Sequence, residues 1–498
     1  MLSICRSAWL LLFLVSPALN SPANADSVLT VALSQSLNNL DPARIQIGSE
    51  YNYANLVFNG LTYIDQNLVA QPDLAVSWSS NDDLTVWTFK LREGVRFHNG
   101  KDLTAADVVW TFRRILDPKS ASRMRGNLLI VDQIVAVDLL TVRFTLKTPY
   151  ADFPTMIGDY QGRIIPEGYE DQAKHPIGTG PFKFVEFVPG DRVVVRKNPD
   201  YWEPGLPKVD EVRLRIIQES ATAISALQSG EVQIVADVRA EVVQRLANDK
   251  NVRVDSVRSG TWAAFVLRND IPPFNDIRVR RALALALDKT EAVRIATFGQ
   301  AAPTHTPIPP FHPYYLSDVP IPKADPERAK ALLAEAGYPN GLELTYWYAA
   351  NDNEIERLGV VFRDQARKAG MNVQLRGLPG DKYYADVEGK EPLTMTVPYG
   401  RPVPDLMLYP FFHSKGSFNL WAYRNPEFDQ MLEAGRAAKT DPERKAIYQA
   451  AQRKLLEDVP GVVVYVRVFS NALRTSVQDF RSTPRIWLEL KRVWLNPA

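Results

Sequence analysis

From Val212 this chain alternates short apolar strands with short helices, and from Asp325 it does so again. In the first run Val212–Ile217 is a predicted strand, Ser220–Gln228 a helix stopped by Gly230, and Val232–Val235 a strand. Glu241–Ala247 follows as a helix and Val252–Val257 as a strand. Asp276–Asp288 has the apolar spacing of a strongly amphipathic helix. Residues 299–324 are rich in proline and predict a long irregular connection. In the second run Asp325-Pro326-Glu327-Arg328 opens a helix, with Asp as N-cap and Pro at the first helical position, and Gly337 closes it. Leu342–Trp347 is a strand, Glu354–Ala369 a helix ended by Gly370, and Val373–Arg376 a strand. Asp441-Pro-Glu-Arg444 opens a further helix, and Val462–Val468 is a strand. Strands alternating with helices make mixed sheets covered by helices. Two such runs predict an α/β fold of two lobes, with ligands held in the crevice between lobes or at strand ends.

The first 25 residues have the form of a secretory leader: Arg6, an apolar run from Ala8, Pro17, and the small-x-small site Ala23-Asn24-Ala25. The apolar run is too short to span a bilayer, which takes ~20 apolar residues. Cleavage after Ala25 would leave an exported, periplasmic chain. Cys5 sits at the start of the apolar run, away from the cleavage point, which argues against a lipid anchor. It is the only cysteine, so the exported chain would have no disulfide, thiol nucleophile or cysteine metal site. Arg6 is the leader's one charge, so its loss brings the 58 Lys and Arg level with the 57 Asp and Glu. A neutral chain argues against nucleic acid as a partner.

Leu84 to Leu116 contains a strand (Trp87–Leu91), an Asn99-Gly100 turn, and a helix from Ala105. Thr104 is its expected N-cap, with Asp107 placed to favour the helix N-terminus. The chain has no G-x-S-x-G and no H-E-x-x-H. Its five histidines (98, 175, 305, 312, 413) show no metal-ligand spacing, so neither a metal nor a cofactor is expected. Gly178-Thr-Gly180 lacks the spacing of a phosphate loop and predicts a tight turn.

The Leu84–Leu116 block resembles the fingerprint of the extracytoplasmic solute-binding proteins of the peptide, opine and nickel importer family. Further blocks in the family's order are Asn39-Leu-Asp-Pro42, Gln71-Pro-Asp-Leu-Ala-Val-Ser-Trp78 and Pro176-Ile-Gly-Thr-Gly-Pro-Phe182. Asn198-Pro-Asp-Tyr-Trp202, Phe274-Asn-Asp-Ile-Arg-Val-Arg-Arg-Ala-Leu283 and Asn425-Pro-Glu-Phe-Asp429 follow. The resemblance implies a two-lobed periplasmic binding fold with a hinge and an extra subdomain in the first lobe. Lobe I would be residues 26–267, with the extra subdomain at about 50–174, completed by 470–498; lobe II would be 268–469. It also implies a monomeric, non-enzymatic receptor that closes on a small organic solute (an oligopeptide, opine or sugar conjugate) and delivers it to a membrane-embedded ABC importer. Two rival readings stand beside it. One is a secreted hydrolase of peptides or glycosides, whose paired carboxylates need only proximity in space. The other is a sensory or chaperone binding protein on the same fold.

Where the family places its ligand contacts, this chain offers Gln46, Gly48 and Ser49, then Trp262, then Tyr399, Gly400 and Arg401 with Asp405, and finally Asn419 and Trp421. Peptide-binding relatives carry an aspartate near positions 400–401 for the peptide amino group. Here Gly400 and Arg401 stand there, and Asp405 comes later. A guanidinium suits a carboxylate, a phosphate or sugar hydroxyls through forked hydrogen bonds. Core packing is the competing role for Trp262, and an ion pair with an acid such as Asp405 the competing role for Arg401.

Overall fold

The computed structural model describes residues 27–496; the expected leader and its cleavage site lie outside them. An eleven-stranded mixed sheet runs through the molecule. At its centre two long strands, Val252–Leu267 and Gly461–Arg474, pair antiparallel from Val252↔Arg474 to Val266↔Gly461. Beyond the second lie Ile234–Val235, Val28–Leu33, Glu211–Ile216, Arg192–Lys197 and Phe182–Val188, in that order. Beyond the first lie Leu393–Thr396, Leu342–Ala349 and Met371–Leu378. Val28–Leu33 is parallel to both neighbours, as is Leu342–Ala349, which is the pairing that helical crossovers produce.

Each half of this sheet is the floor of a lobe. One core gathers Leu29, Val57, Val212, Ile234, Leu473 and Trp487; the other gathers Phe265, Leu283, Tyr346, Phe362, Met395 and Tyr465. The two long strands therefore feed both cores. A separate four-stranded antiparallel sheet (Ala75–Ser80, Val86–Leu91, Thr141–Leu146, Val131–Asp138) packs against the helix Ala105–Leu116 over Phe89, Phe112, Phe144 and Phe153.

Three elements differ from their sequence reading, and one is the strand expected at Val462–Val468, which runs from Gly461 to Arg474. The strand expected to stop at Val257 continues to Leu267. Trp262 to Leu267 is an apolar run without alternation, buried throughout, as in a strand covered on both faces. The helix expected to be capped by Asp441 is capped by Thr440, whose Oγ1 accepts from the Glu443 N–H at 3.4 Å. Asp441 instead accepts from the Tyr314 hydroxyl.

Gly178 and Gly180 form a turn pressed against Val57, where a Cβ on Gly178 would lie 2.1 Å from the Val57 carbonyl oxygen. His98 holds the same turn, with its Nε2 3.0 Å from the Gly180 carbonyl, and burial pulls the imidazole down to about 4. Among the described residues no helix is long and apolar enough to cross a membrane. No three His, Cys, Asp or Glu side chains among them gather as a metal site.

Candidate functional site

The long strands pass from one lobe to the other at a bulge. Arg258 pairs with Val468 and Trp262 with Val466, so Ser259, Gly260 and Thr261 together face Arg467 alone. The Ser259 hydroxyl donates to the Arg467 carbonyl at 2.8 Å and accepts from the Thr261 N–H at 3.1 Å. A bulge of this kind bends and twists a strand without ending it. The 398–402 loop docks on it. The Trp262 N–H donates to the Pro398 carbonyl at 3.3 Å, and the Gly400 N–H to Thr261 Oγ1 at 3.3 Å. A Cβ on Gly400 would lie 2.5 Å from the Gly260 Cα, so the approach needs glycine on both sides.

This docking carries Arg401 across to lobe I, where its Nη1 lies 2.9 Å from Asp159 Oδ2. Asp159 also accepts from Arg485, a guanidinium 1% exposed that lies 4.0 Å from the Tyr160 ring centroid. Tyr160 stacks on Tyr51 at 4.0 Å. Burial works against the Asp159 charge, but Arg401 and Arg485 outweigh it and hold the carboxyl below its usual range.

Tyr51 is placed by the helix Gly48–Val57. Glu50, in its first turn, is buried and accepts the N–H groups of Asn38, Asn39, Gln46 and Ile47, which fixes the loop before the helix. Gly48 has no room for a side chain, since a Cβ would lie 2.7 Å from Ile486 Cδ1. With Ser49, Gln35 and Asp237 it lines a space of about 30 Å³ beside Arg485. Tyr399 comes in from lobe II near Gln35 and Asp237, and burial raises its phenol.

A second group of charges lies on the other side of Asp237. Arg467 Nε is 3.2 Å from Glu354 and its Nη2 2.5 Å from Asp352. Asp352 also caps the helix Asn353–Lys368, accepting from the Glu354 N–H at 3.2 Å. Burial is opposed there by Arg467 and Arg239, which bring the Asp352 carboxyl down to about 2. Arg239, Glu354 and Arg467 line a space of about 20 Å³. Spaces of 20–30 Å³ hold a water and no solute. The two sides meet along this seam, and as it stands the seam has no room for a solute.

Of the residues expected at the site, Gly48, Ser49, Tyr399, Gly400 and Arg401 converge on the seam, with the Gln46 backbone bound to Glu50 just before it. Trp262, Asp405, Asn419 and Trp421 do not converge there, for physical reasons. Trp262 is 1% exposed and packs against Phe411, Phe412 and Trp421. Trp421 is fully buried and donates its indole N–H to the Phe265 carbonyl. Asn419 spends its amide on its own loop, donating to the His413 and Tyr423 carbonyls and accepting from the Tyr423 N–H. Asp405 is fully buried and held by Arg436 at 2.7 Å and the Tyr150 hydroxyl at 3.0 Å. Arg401 does enter an ion pair, but with Asp159 and not with Asp405.

Sequence reasoning passed over Tyr51, Asp159, Tyr160, Arg239, Arg467 and Arg485. Arg239 alone carried a signal: it caps the N-terminus of the helix Ala240–Leu246, where the dipole disfavours a cation. The others come together only through contacts distant in sequence.

Two α/β lobes joined by crossing strands, with polar side chains from both meeting over the crossing, define a binding protein that closes on its solute. The chain belongs to the bacterial extracellular solute-binding proteins, family 5, whose middle region matches residues 69–419. The glutathione-binding protein GsiB of Escherichia coli (strain K12) is 28% identical to it, over 97% of either chain. The GsiB of Pectobacterium atrosepticum is 30% identical, over 93% of either chain. The binding protein AgaA of A. tumefaciens R10, solved with agropinic acid, superposes with a TM-score of 0.84 at 26% identity, covering 95% of this chain and 99% of AgaA. The periplasmic binding protein DppA of Helicobacter pylori, solved with the peptide STSA, gives 0.84 at 26% identity, covering 94% and 98%. The protein is a solute-binding receptor of this transport family.

Proposed function

We propose that this receptor captures a small organic solute carrying at least one carboxylate, by closure of the seam between its lobes, and passes it unchanged to a membrane-embedded ABC importer. The carrying observation is that Arg401, on a loop docked at the hinge bulge, reaches across the lobes to Asp159. A ligand carboxylate offered to Arg401 would take the place of that internal partner. Arg239 strengthens the reading, because its half-buried guanidinium joins no ion pair among the described residues. Glutathione and agropinic acid, named for the relatives above, both carry carboxylates. Non-enzymatic capture is supported by the state of the seam's acids. Asp159, Asp352 and Glu354 are each held by a guanidinium, and the first two are kept below the range of a general acid.

The proposed boundaries follow the bulge. Lobe I would run to about residue 258 and resume after Arg467, and lobe II would lie between; the 75–146 sheet would be the extra subdomain. Export through cleavage after Ala25, periplasmic residence and action as a monomer complete the proposal.

The test is to purify the protein, extract any co-purified small molecule and identify it by mass spectrometry. The molecule is then titrated back, with a rise in melting temperature as the first readout. Arg401→Ala should weaken an acidic solute such as reduced glutathione at least tenfold more than its neutral amide. Equal losses for both, or recovery of a chemically altered solute, would reject the proposal.

A further inference from the structure

A cavity of about 850 Å³ lies on lobe I behind the seam space, with Thr483 lining both. It is enclosed by the end of the helix Gly48–Val57, the hairpin of Thr62–Ile64 and Ala70–Pro72, the 201–203 loop and the C-terminal segment 479–492. Ligand sites fall within this size range, roughly 300–1,000 Å³.

Its wall holds two buried charges of opposite sign, Arg163 and Asp73, which feel one another but make no ion pair at contact distance among the described residues. Arg163 is 3% exposed, joins no ion pair among the described residues, and its Nε is buried without a hydrogen-bond partner. Its guanidinium faces the Trp487 ring, 5.1 Å from the centroid. Asp73 is 5% exposed and accepts from Asn59 Nδ2 and the Gly60 N–H, each at 2.9 Å, and among the described residues no cation is in salt-bridge contact with it. Burial pushes its carboxyl up to about 6. The two groups line one cavity without bridging each other. At the rim Glu203 accepts from both Lys491 and Arg492. A buried unpaired ion is costly, and a buried pair of opposite ions left apart is doubly so. Tyr63, Tyr201 and Trp202 supply aromatic walls, and the Tyr201 hydroxyl is itself buried without a partner.

We propose that this cavity is a second binding site, taking a small zwitterion of the α-amino acid class with an apolar or aromatic body. The carboxylate sits on Arg163, the ammonium against Asp73, and the side chain between the aromatic walls. Trp487 stands between this site and the seam, with Arg163 on it here and Arg485 on it there, and the proposal does not depend on the reading given for the seam.

L-phenylalanine is the probe, with 3-phenylpropionate and phenethylamine as analogues that lack one charge each. Calorimetric titration of the purified protein should show phenylalanine binding at least tenfold tighter than either analogue. Arg163→Gln should abolish it, and the seam variant Arg401→Ala should leave it unchanged. Arg163 bonds no carboxylate directly among the described residues, so Arg163→Gln should stay folded, with a melting temperature close to that of the unmodified protein. Asp73→Asn gives an independent arm: it should weaken phenylalanine about tenfold and leave 3-phenylpropionate as it was. Absence of phenylalanine binding in the unmodified protein would overturn the proposal. So would binding lost in Arg401→Ala but kept in Arg163→Gln, or equal loss of both probes in Asp73→Asn.

Discussion

Asp159 is the residue on which the seam turns. It accepts from one guanidinium of each lobe, Arg485 and Arg401, and it is 3% exposed. Among the described residues Arg485 has no second anion, and its Nε and Nη1 are buried without hydrogen-bond partners. Removing the carboxylate would leave that cation uncompensated, a loss of about 3–5 kcal/mol for a buried pair. The sign of the pH dependence follows from the direction of the shift. An unfolded aspartate takes up its proton near pH ~3.9, while the folded one lags because Arg401 and Arg485 hold it lower. The stabilisation is therefore complete above the unfolded value and fades as pH falls through the folded one. Asp159→Asn should lose about 3 kcal/mol at neutral pH, read from urea midpoints, and the gap to the unmodified protein should narrow in acid below ~pH 4. A gap that persists unchanged in acid would mean that shape, not charge, is what Asp159 contributes.

Among the elements, the crossing strands matter most, and their bulge holds a compact hydrogen-bond unit. Ser259 is fully buried, and its hydroxyl both donates and accepts within the bulge. Ser259→Ala orphans the Arg467 carbonyl and the Thr261 N–H, at a cost of about 1–3 kcal/mol. Hydrogen exchange should report the change as faster exchange at residues 258–262, with the flanking strand pairs little altered. Uniform acceleration along both strands would show that the bulge has no local role. The sequence alone ends this strand early, at Val257. Ser-Gly-Thr has the composition of a turn, and a bulge keeps the ladder going through such residues. Elements fixed by local signals matched closely: the helix expected at Glu354–Ala369 is found at Asn353–Lys368, with its cap at Asp352 and its stop at Gly370. The ligand-site expectations divided on burial. Backbone-defined positions such as Gly48 and Gly400 reached the seam, where close approach demands glycine. Trp262 and Trp421 went to the core, because nothing in a sequence says which side of a strand or loop a tryptophan will face. Asp159 and Arg485 could not be paired in advance, because their chain separation carries no periodicity.

For the molecule as a whole, the lobes are also braced at their outer edge. Arg444 pairs with Asp152, the Tyr150 hydroxyl donates to Asp405, and the Ala151 N–H donates to the Arg436 carbonyl at 3.1 Å. These contacts join residues 150–152 to Asp405, Arg436 and Arg444, and the closure proposed above predicts that they break when the lobes part. A receptor that must be closed to hold its solute has an apparent affinity scaled by the fraction closed. Loosening the brace should therefore weaken binding without touching the ligand. Arg444→Gln leaves Asp152 buried and unpaired in the shut form, while in an open form water can solvate it, so the variant shifts the balance toward open. Small-angle scattering should then show a larger radius of gyration for the solute-free variant than for the unmodified protein, and equal radii once both are saturated. Affinity should fall by the same factor as the closed population, through a faster off-rate. A weaker affinity with an unchanged solute-free radius would place the effect of Arg444 inside lobe II, and the outer brace would then have no part in closure.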